Sequence, residues 1–262
     1  MNLTPVLTIA GSDSSGGAGI QADIKTMMAN GVYAESVITT LTAQNTLGVH
    51  SYMDASPEVV GEQIDAVFND IAPAATKIGL VCSVSLIDVI AQRLKQYGAK
   101  NVVVDPVLVS KSGTKLLDDG ALEVLAEELF PLATVITPNI PELEALSGDK
   151  VTDMHTMADA AKKVAAKYHC AVLAKGGHLT DSANDVLVEG ENIRWFRGQR
   201  INTNNTHGTG CTLSSAIAAN LAKGDTLVDA ISKAKKYVTG ALQDGMNLGK
   251  GNGPLNHSYN IK

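Results

Sequence analysis

Aromatic residues are scarce in this sequence. They make up 4% of its 262 residues, whereas hydrophobic residues as a whole make up 45%. A core of this composition has to be aliphatic and rich in alanine, which suits helices packed on a parallel sheet. The length is ordinary for one large α/β domain, and the sequence shows no internal repeat and no linker-like stretch. We therefore predict a single domain over residues 1–262.

Cysteine is scarce as well. Cys82, Cys170 and Cys211 form an odd and widely separated set, which excludes a disulfide framework and matches no zinc-ligand spacing. The first residues lack the basic region and the long apolar core of a secretory signal peptide. A reduced compartment fits these features best, so we expect a cytoplasmic protein.

The sequence also lacks a block of basic residues and a long apolar run. Its net charge is −6 and its pI about 5.5, which argues against nucleic acid and anionic membrane surfaces as partners. No apolar run approaches the roughly 20 residues that cross a bilayer. The expected partner is therefore a small molecule.

Strand-like and helix-like segments alternate along the chain. The β-rich runs lie at 5–10, 36–42, 76–80, 101–105, 134–137 and 171–175, with a hairpin at 184–196. Helical patterns lie at 20–29, 57–69, 83–97, 118–129, 140–146, 153–168, 212–221 and 226–245. We predict a mostly parallel sheet with right-handed crossovers and helices on both faces. A polar loop is expected at 108–115, and a loose Gly/Asn-rich tail at 249–262.

The most informative stretch covers residues 205–211 and runs directly into an alanine-rich helical segment. Gly208 and Gly210 permit backbone angles that other residues avoid, and the first N–H groups of a helix have no partner within it. Together these features predict an anion pocket at the positive end of a helix dipole. Cys211 at its mouth predicts a thiol with a lowered pKa. We interpret the stretch as a phosphoryl-transfer site; the simpler alternative is a turn before a helix.

A second glycine-rich loop, at residues 11–19, separates the first strand from the first helix. It is neither a dinucleotide-binding fingerprint nor a P-loop. Because it contains one aspartate and three serines, it is suited to a polar small molecule, although it could equally be a turn that caps the helix. Gln44, at the end of the next strand, carries an amide that can recognise the edge of a heterocycle; the alternative is an ordinary loop residue.

Three later strands also end in polar residues. Asp105 follows a buried valine run and is a candidate for magnesium or phosphate electrostatics, or for capping the next element. Asn139 and Glu142 have the spacing of a capping box, but the same pair can hold a hydrated magnesium ion. Lys175 precedes two glycines and suits a phosphate clamp, unless it is a solvated loop lysine. We expect all these strand ends, with Gly11 and Gln44, at one edge of the sheet.

Six segments, taken in order, resemble the hydroxymethylpyrimidine/phosphomethylpyrimidine kinases of thiamine biosynthesis, within the ribokinase superfamily. They lie at 10–26, 42–45, 105–107, 137–142, 175–178 and 206–211. The resemblance covers nearly the whole chain and implies a ribokinase-like α/β fold with three α/β/α layers. It also implies ATP-dependent, Mg²⁺-assisted phosphorylation of 4-amino-5-hydroxymethyl-2-methylpyrimidine to its monophosphate and then to the diphosphate.

The resemblance also assigns roles to individual residues. It implies that Cys211 is catalytic, at a position where sugar-kinase relatives have aspartate, and that Gly208 and Gly210 form an anion hole. The implied substrate-binding residues are Gln44, Gly11, Asp13, Ala18 and Val107. The implied ATP-binding residues are Lys175, Asn139, Glu142 and Thr206. Magnesium is assigned to Asp105 and, through water, to Glu142. A homodimer and lid closure over the substrate are further implications.

Other activities remain open on the sequence alone. Pyridoxal/pyridoxine kinase is the nearest, because pyridoxine also carries a hydroxymethyl group on a six-membered heterocycle. Relatives that resemble dual-cysteine pyridoxal kinases have a second cysteine in the lid after the Asp-Pro-Val strand. Residues 108–111 here contain no cysteine, which favours the pyrimidine enzyme. A sugar kinase is disfavoured by Cys211 and Gln44. A non-catalytic binding protein would not need a base beside an anion hole.

Overall fold

The computed structural model describes residues 3–108, 118, 120–178 and 183–261. Most of the polar stretch predicted as a loop at 108–115, including the cysteine-free positions 109–111, lies outside the described residues. All structural statements below refer to the described part of the chain.

Strands and helices alternate largely as predicted. The strands are β1 Pro5–Asp13, β2 Tyr33–Asn45, β3 Gly48–Asp54, β4 Ala75–Ile78, β5 Val102–Val104, β6 Val135–Ile136, β7 Ala171–Ala174, β8 Asp185–Glu189 and β9 Asn192–Phe196. The helices are α1 Gly19–Ala29, α2 Pro57–Asp70, α3 Val84–Tyr97, α4 Ala121–Glu128, α5 Ile140–Ser147, α6 Met154–Tyr168, α7 Thr209–Ala222 and α8 Leu227–Gln243. Among them, no helix is long and apolar enough to cross a membrane.

Within the described residues, nine strands form one sheet in the order β3-β2-β1-β4-β5-β6-β7-β8-β9. The six central strands pair in parallel, and their order in the sheet is β2, β1, β4, β5, β6 and β7. At the two edges, β3 and the β8–β9 hairpin pair antiparallel. Because parallel strands place their carboxyl ends at one edge, Asp105, Asn139 and Lys175 follow β5, β6 and β7 at the same edge.

Helices cover both faces of the sheet. On one face α2 to α6 pack on side chains such as Val102 and Val104, and on the other face α1, α7 and α8 pack on Val103. This alternation follows from the period of two along a strand, and the valines of β5 are buried on both faces. The predicted three-layer α/β/α architecture is therefore confirmed.

The helix after the glycine-rich stretch begins earlier than predicted. Gly208 is its N-cap with a φ of 82°, a left-handed conformation that favours glycine. The Thr212 N–H already donates to the Gly208 carbonyl oxygen at 2.8 Å. Gly210 and Cys211 consequently lie inside the first turn of α7, rather than in a loop before it.

The prediction of a loose C-terminal tail was wrong. Leu255 is 1% exposed and His257 is 5% exposed. The Tyr237 hydroxyl donates to the His257 carbonyl oxygen at 2.6 Å, and the Thr212 hydroxyl lies 3.0 Å from His257 Nε2. Composition alone indicated a flexible segment, but buried side chains after the glycines fasten it to α7 and α8.

Candidate active site

Two helix starts converge on Cys211. Cys211 lies in the first turn of α7, and the backbone N–H of Gly19, the first residue of α1, is near enough to the thiol to act to lower its pKa. Gly19 has a φ of 54°, and a Cβ there would overlap the Gly11 carbonyl oxygen. The glycine-rich loop of residues 11–19 therefore ends beside Cys211, where the positive ends of α1 and α7 are both near the thiol.

The predicted lowering of the Cys211 pKa was wrong. Burial raises the pKa of this thiol to about 11; Lys77 and the Gly19 N–H act to lower it, while Asp23 and Asp105 raise it further. The sequence argument considered only the helix start, whereas desolvation and two carboxylates outweigh it. Cys211 is thus a neutral thiol at neutral pH in the ligand-free protein.

Lys175, which is half-buried, and Asp105, which is buried, form an ion pair beside the start of α7. Lys175 Nζ donates to Asp105 Oδ1 at 2.8 Å, and the Thr137 hydroxyl donates to the same oxygen at 2.9 Å. Burial acts to lower the pKa of Lys175, but Asp105 and Glu142 raise it above its usual value. A Cβ at Gly210 would lie 3.1 Å from Asp105 Oδ2 and 3.5 Å from Lys175 Nζ, so glycine lets the α7 backbone approach the pair.

Asn139 and Glu142 do form the capping box of α5. The Glu142 N–H donates to Asn139 Oδ1 at 2.9 Å, and the Asn139 N–H donates to Glu142 Oε2 at 2.7 Å. The same carboxyl group also belongs to the charged cluster: burial raises its pKa to about 7, Lys175 acts to lower it and Asp105 to raise it. The structural cap and the electrostatic role therefore coexist.

Asp13 organises the glycine-rich loop from within. It is 2% exposed, and its Oδ1 accepts from the N–H and hydroxyl of Ser15 at 2.8 Å each. Its Oδ2 accepts from the N–H groups of Gly17 at 3.0 Å and Ala18 at 2.8 Å. Burial would raise its pKa, but hydrogen bonds from His207 and Ser15 lower it to about 2. Asp13 therefore shapes the predicted substrate loop through backbone groups.

His207, which lies just before α7, contacts this glycine-rich loop. The sequence did not predict that contact. Its Nε2 lies 2.8 Å from Asp13 Oδ2 and 3.4 Å from Gln44 Nε2. The ring is 7% exposed on its side chain. His207 stood inside the glycine-rich stretch, between the residues singled out for anion binding, but nothing local indicated a partner near the N-terminus.

A second buried pair, also missed, lies beneath Cys211. Lys77 Nζ donates to Asp23 Oδ2 at 2.7 Å, and both side chains are 0% exposed. Asp23 also accepts from the hydroxyls of Thr8 at 2.6 Å and Ser215 at 2.7 Å. The sequence did carry one signal, because Lys77 is the only charged residue in the strand Ala75–Ile78.

The remaining predicted residues line the same edge of the sheet. Gly11 is buried within β1, and the Val107 N–H donates to the Asp105 carbonyl oxygen at 2.9 Å. The Thr206 carbonyl oxygen accepts from the Thr209 hydroxyl at 2.7 Å, which tightens the turn into α7.

The donor set fits a cation held jointly with phosphate. Among the described residues, no group of three or more His, Cys, Asp or Glu side chains could hold a metal ion alone. Asp105 and Glu142 nevertheless place carboxylate oxygens beside Lys175. Mg²⁺ is usually bound by one or two carboxylates together with substrate phosphates and water, and this pair offers that arrangement.

Comparison with known proteins gives consistent matches. The phosphomethylpyrimidine kinase family matches residues 13–256. The chain is 49% identical over 257 residues to a hydroxymethylpyrimidine/phosphomethylpyrimidine kinase of Rhizobium meliloti, covering 97% of this chain and 96% of that protein. It is 50% identical over 253 residues to the thiamine biosynthesis bifunctional protein ThiED of Geobacter sulfurreducens. That match covers 96% of this chain but 52% of the relative, so the chain spans about half of the bifunctional protein.

A solved structure shares the fold closely. An ADP complex of Bacillus subtilis pyridoxal kinase superposes with a TM-score of 0.91 at 39% identity, covering 98% of each chain. This chain therefore shares the fold of a pyridoxal kinase that was solved with ADP.

Proposed function

The chain belongs to the phosphomethylpyrimidine kinase family, and from that premise we propose that phosphoryl transfer takes place at the cradle formed by the starts of α1 and α7. The reaction is the ATP-dependent phosphorylation of hydroxymethylpyrimidine and then of phosphomethylpyrimidine, in thiamine biosynthesis. The observation that carries the site assignment is the convergence of Cys211, the Gly19 N–H and the Lys175–Asp105 pair. Phosphoryl transfer depends mainly on positioning and charge neutralisation, and this set supplies both.

On the nucleotide side, we assign Lys175 to the ATP phosphates and the first amides of α7, around Gly208 and Gly210, to the transferred group. A lysine and a helix start are both suited to anionic oxygens. Thr206 supports the turn that aims these amides. When phosphate arrives, Lys175 has to exchange part of its contact with Asp105, which then becomes available to a cation.

On the acceptor side, we assign Gln44 to the pyrimidine edge and the loop containing Gly11, Asp13 and Ala18, with Val107, to the pocket wall. The amide of Gln44 can donate and accept together, as an aminopyrimidine edge requires. Asp13 acts indirectly, because its oxygens are engaged by loop N–H groups and His207.

Cys211 touches the reacting hydroxyl in this assignment. Because burial raises its pKa to about 11, its first role is to orient the alcohol rather than to exist as a thiolate. The neighbouring positive helix ends stabilise negative charge as it develops on the acceptor oxygen.

Magnesium fits Asp105 directly and Glu142 through water, as argued from their position beside Lys175. When bound, Mg²⁺ would supply neutralisation of phosphate charge. Asn139 holds Glu142 in place through the capping box, which keeps the carboxylate directed toward the cluster.

Replacing Cys211 by alanine should lower kcat at least about tenfold, because the group that orients the alcohol is lost and a displacement of about 1 Å can cost 10²-fold in rate. Pyrimidine binding should change little, since the ring is held elsewhere. Pyrimidine-dependent ADP release measures the rate, and titration calorimetry measures the binding. Cys211→Ser should retain part of the activity.

Cys170→Ala is the control, because this thiol also has a raised pKa, about 12. Cys170 is buried and precedes β7, at the opposite end of that strand from Lys175. An unchanged kcat in Cys211→Ala would remove the thiol from the mechanism. A wild-type protein that releases no ADP with the pyrimidine would instead refute the proposed function.

Pyridoxal phosphorylation is the second candidate, favoured by the 0.91 TM-score to Bacillus subtilis pyridoxal kinase. The lid positions relevant to this distinction lie outside the described residues. Parallel kcat/KM measurements on hydroxymethylpyrimidine and pyridoxal decide between them, and we expect the pyrimidine to be preferred.

We further propose a homodimer that forms through the β2–β3 hairpin. Leu41 and Met53 face each other across these strands and are 48% and 65% exposed, and Leu47 is 61% exposed. Exposed apolar side chains grouped in this way mark interaction surfaces. Light scattering should give twice the 27.3 kDa chain mass, and Met53→Asp should shift it toward the monomer. A monomeric wild type would exclude the dimer.

We also propose a cytoplasmic location, because Cys82, Cys170 and Cys211 are all free thiols. Fractionation of cells that express the chain is the direct test, and recovery with an extracytoplasmic fraction would exclude this location.

A further inference from the structure

The C-terminal strap, which we define as residues 249–257, crosses the hairpin that carries Gln44. The N–H groups of Lys250 and Gly251 donate to Thr46 Oγ1 at 3.2 Å each. The Asn252 N–H donates to the Thr46 carbonyl oxygen at 3.1 Å. Thr46 lies in the turn between β2 and β3, so three consecutive strap amides grip this turn.

The same strap then reaches the segment that leads into α7. The Gly253 N–H donates to the Asn204 carbonyl oxygen at 3.1 Å, and the His207 N–H donates to the Gly253 carbonyl oxygen at 3.0 Å. His207 and Pro254 form an isolated parallel bridge. Gly208 follows His207 and caps α7. The strap is therefore bonded to residues 204–208, the segment that leads into α7, which we call the anion loop.

The glycines of the strap allow this close approach. A Cβ at Gly251 would overlap the Thr46 carbonyl oxygen, and a Cβ at Gly253 would overlap Asn205 Oδ1. The strap backbone is thus in direct contact with the hairpin turn on one side and the anion loop on the other. Glycine is the residue type that permits such contact.

The C-terminal end of the strap is buried next to the first turn of α7. Leu255 and His257 are buried, and His257 Nε2 lies 3.0 Å from the Thr212 hydroxyl in the first turn of α7. Burial lowers the pKa of His257 to about 4, with Lys25 and His207 acting in the same direction. His257 is therefore a neutral ring. Because the Thr212 hydroxyl donates its hydrogen to the Gly208 carbonyl oxygen at 2.8 Å, the Nε2–H tautomer of His257 can donate to Thr212 Oγ1.

We propose that the strap is a positioning element for the acceptor substrate, fixing the distance between Gln44 on the hairpin and the phosphoryl cradle at the start of α7. This inference rests on the function proposed above and goes beyond it, because it assigns a role to a segment that touches neither reacting group. In-line transfer requires the alcohol within a narrow range of the phosphorus atom, and a displacement of about 1 Å can cost 10²-fold in rate. A direct contact also joins the two parts, because His207 Nε2 lies 3.4 Å from Gln44 Nε2.

Thr46→Val tests the proposal, because it removes the hydroxyl that two strap amides use while keeping the side-chain shape. We expect the KM for the pyrimidine to rise and kcat to fall, each about tenfold, with the KM for ATP unchanged. Thr46→Ser restores the hydroxyl and should recover most of the loss. Thr239→Val is the matched control: its half-buried hydroxyl donates to the Lys235 carbonyl oxygen at 2.8 Å on α8.

Gly251→Ala is the second variant and should give a larger effect of the same kind, since the added methyl group would overlap the Thr46 carbonyl oxygen. A purely structural strap would lower the melting temperature and leave pyrimidine KM and kcat within twofold of wild type in Thr46→Val; that result overturns the proposal. Should Gly251→Ala fail to fold, Thr46→Val still decides. Should the wild type prove inactive, the proposed function fails, and calorimetric pyrimidine affinity of wild type against Thr46→Val decides the strap separately.

Discussion

Lys175→Met is expected to lower kcat by about 10²–10³-fold, the range found when one preorganised charge or donor is removed from a transition state. Lys175 lies beside the start of α7: its Nζ would lie 3.5 Å from a Cβ at Gly210. Methionine keeps the side chain's length and removes only the charge and its hydrogen bonds. Steady-state ADP release at saturating pyrimidine and ATP measures the effect.

The matched control is Lys163→Met, which removes a lysine whose 2.8 Å ion pair with Asp149 is solvent-exposed. Its kcat should stay within twofold, because exposed pairs contribute little. Lys175→Met should also raise the pKa of Glu142 further, since Lys175 makes the largest of the contributions that lower it. A kcat within threefold of wild type in Lys175→Met would remove this lysine from phosphate binding.

The α/β architecture was predictable because each strand and helix has a recognisable local pattern of apolar residues. Valine runs such as β5 are buried on both faces, and their flanking helices show apolar stripes with period 3.6. The candidate site was also predictable in outline. Asp105, Asn139 and Lys175 each follow a parallel strand, and parallel strands necessarily deliver their carboxyl ends to one edge.

The contacts that complete the site were not predictable from local patterns. His207 and Asp13 are 194 positions apart, and Lys250 and Thr46 are 204 apart. Neither pair leaves a periodic trace in a single sequence. The tail was misjudged for the same reason: its glycines indicate flexibility when read locally, whereas in the fold they allow close backbone contact.

The prediction that the pKa of Cys211 is lowered was wrong for a different reason. A helix start was correctly inferred, but its effect was weighed without the burial and the nearby carboxylates of Asp23 and Asp105. The balance of such opposing contributions depends on distances that only the folded chain defines. The same holds for Lys77, whose strand position was predicted correctly while its charge was overlooked.

Lys77→Met is expected to destabilise the fold by about 3–5 kcal/mol, the usual cost of removing one partner of a buried ion pair. Lys77 and Asp23 are both 0% exposed, so the substitution leaves a carboxylate buried between the Thr8 and Ser215 hydroxyls. Urea denaturation at pH 7 measures the change. An unfolding free energy within about 1 kcal/mol of wild type would show that the charge of Asp23 is satisfied by the hydroxyls alone.

The double variant Asp23→Asn with Lys77→Met separates charge from packing. Asparagine keeps one oxygen that accepts from one of the two hydroxyls, and its NH2 group can donate to the oxygen of the other. It also needs no cation, so much of the lost stability should return. Activity should not return with it. The double variant still lacks the Lys77 charge, which acts to lower the pKa of Cys211 and contributes more to it than Asp23, which acts to raise it. A stable but slow double variant would therefore show that this buried pair serves the catalytic centre, whereas one with wild-type kcat would confine it to the folding of α1, β4 and α7.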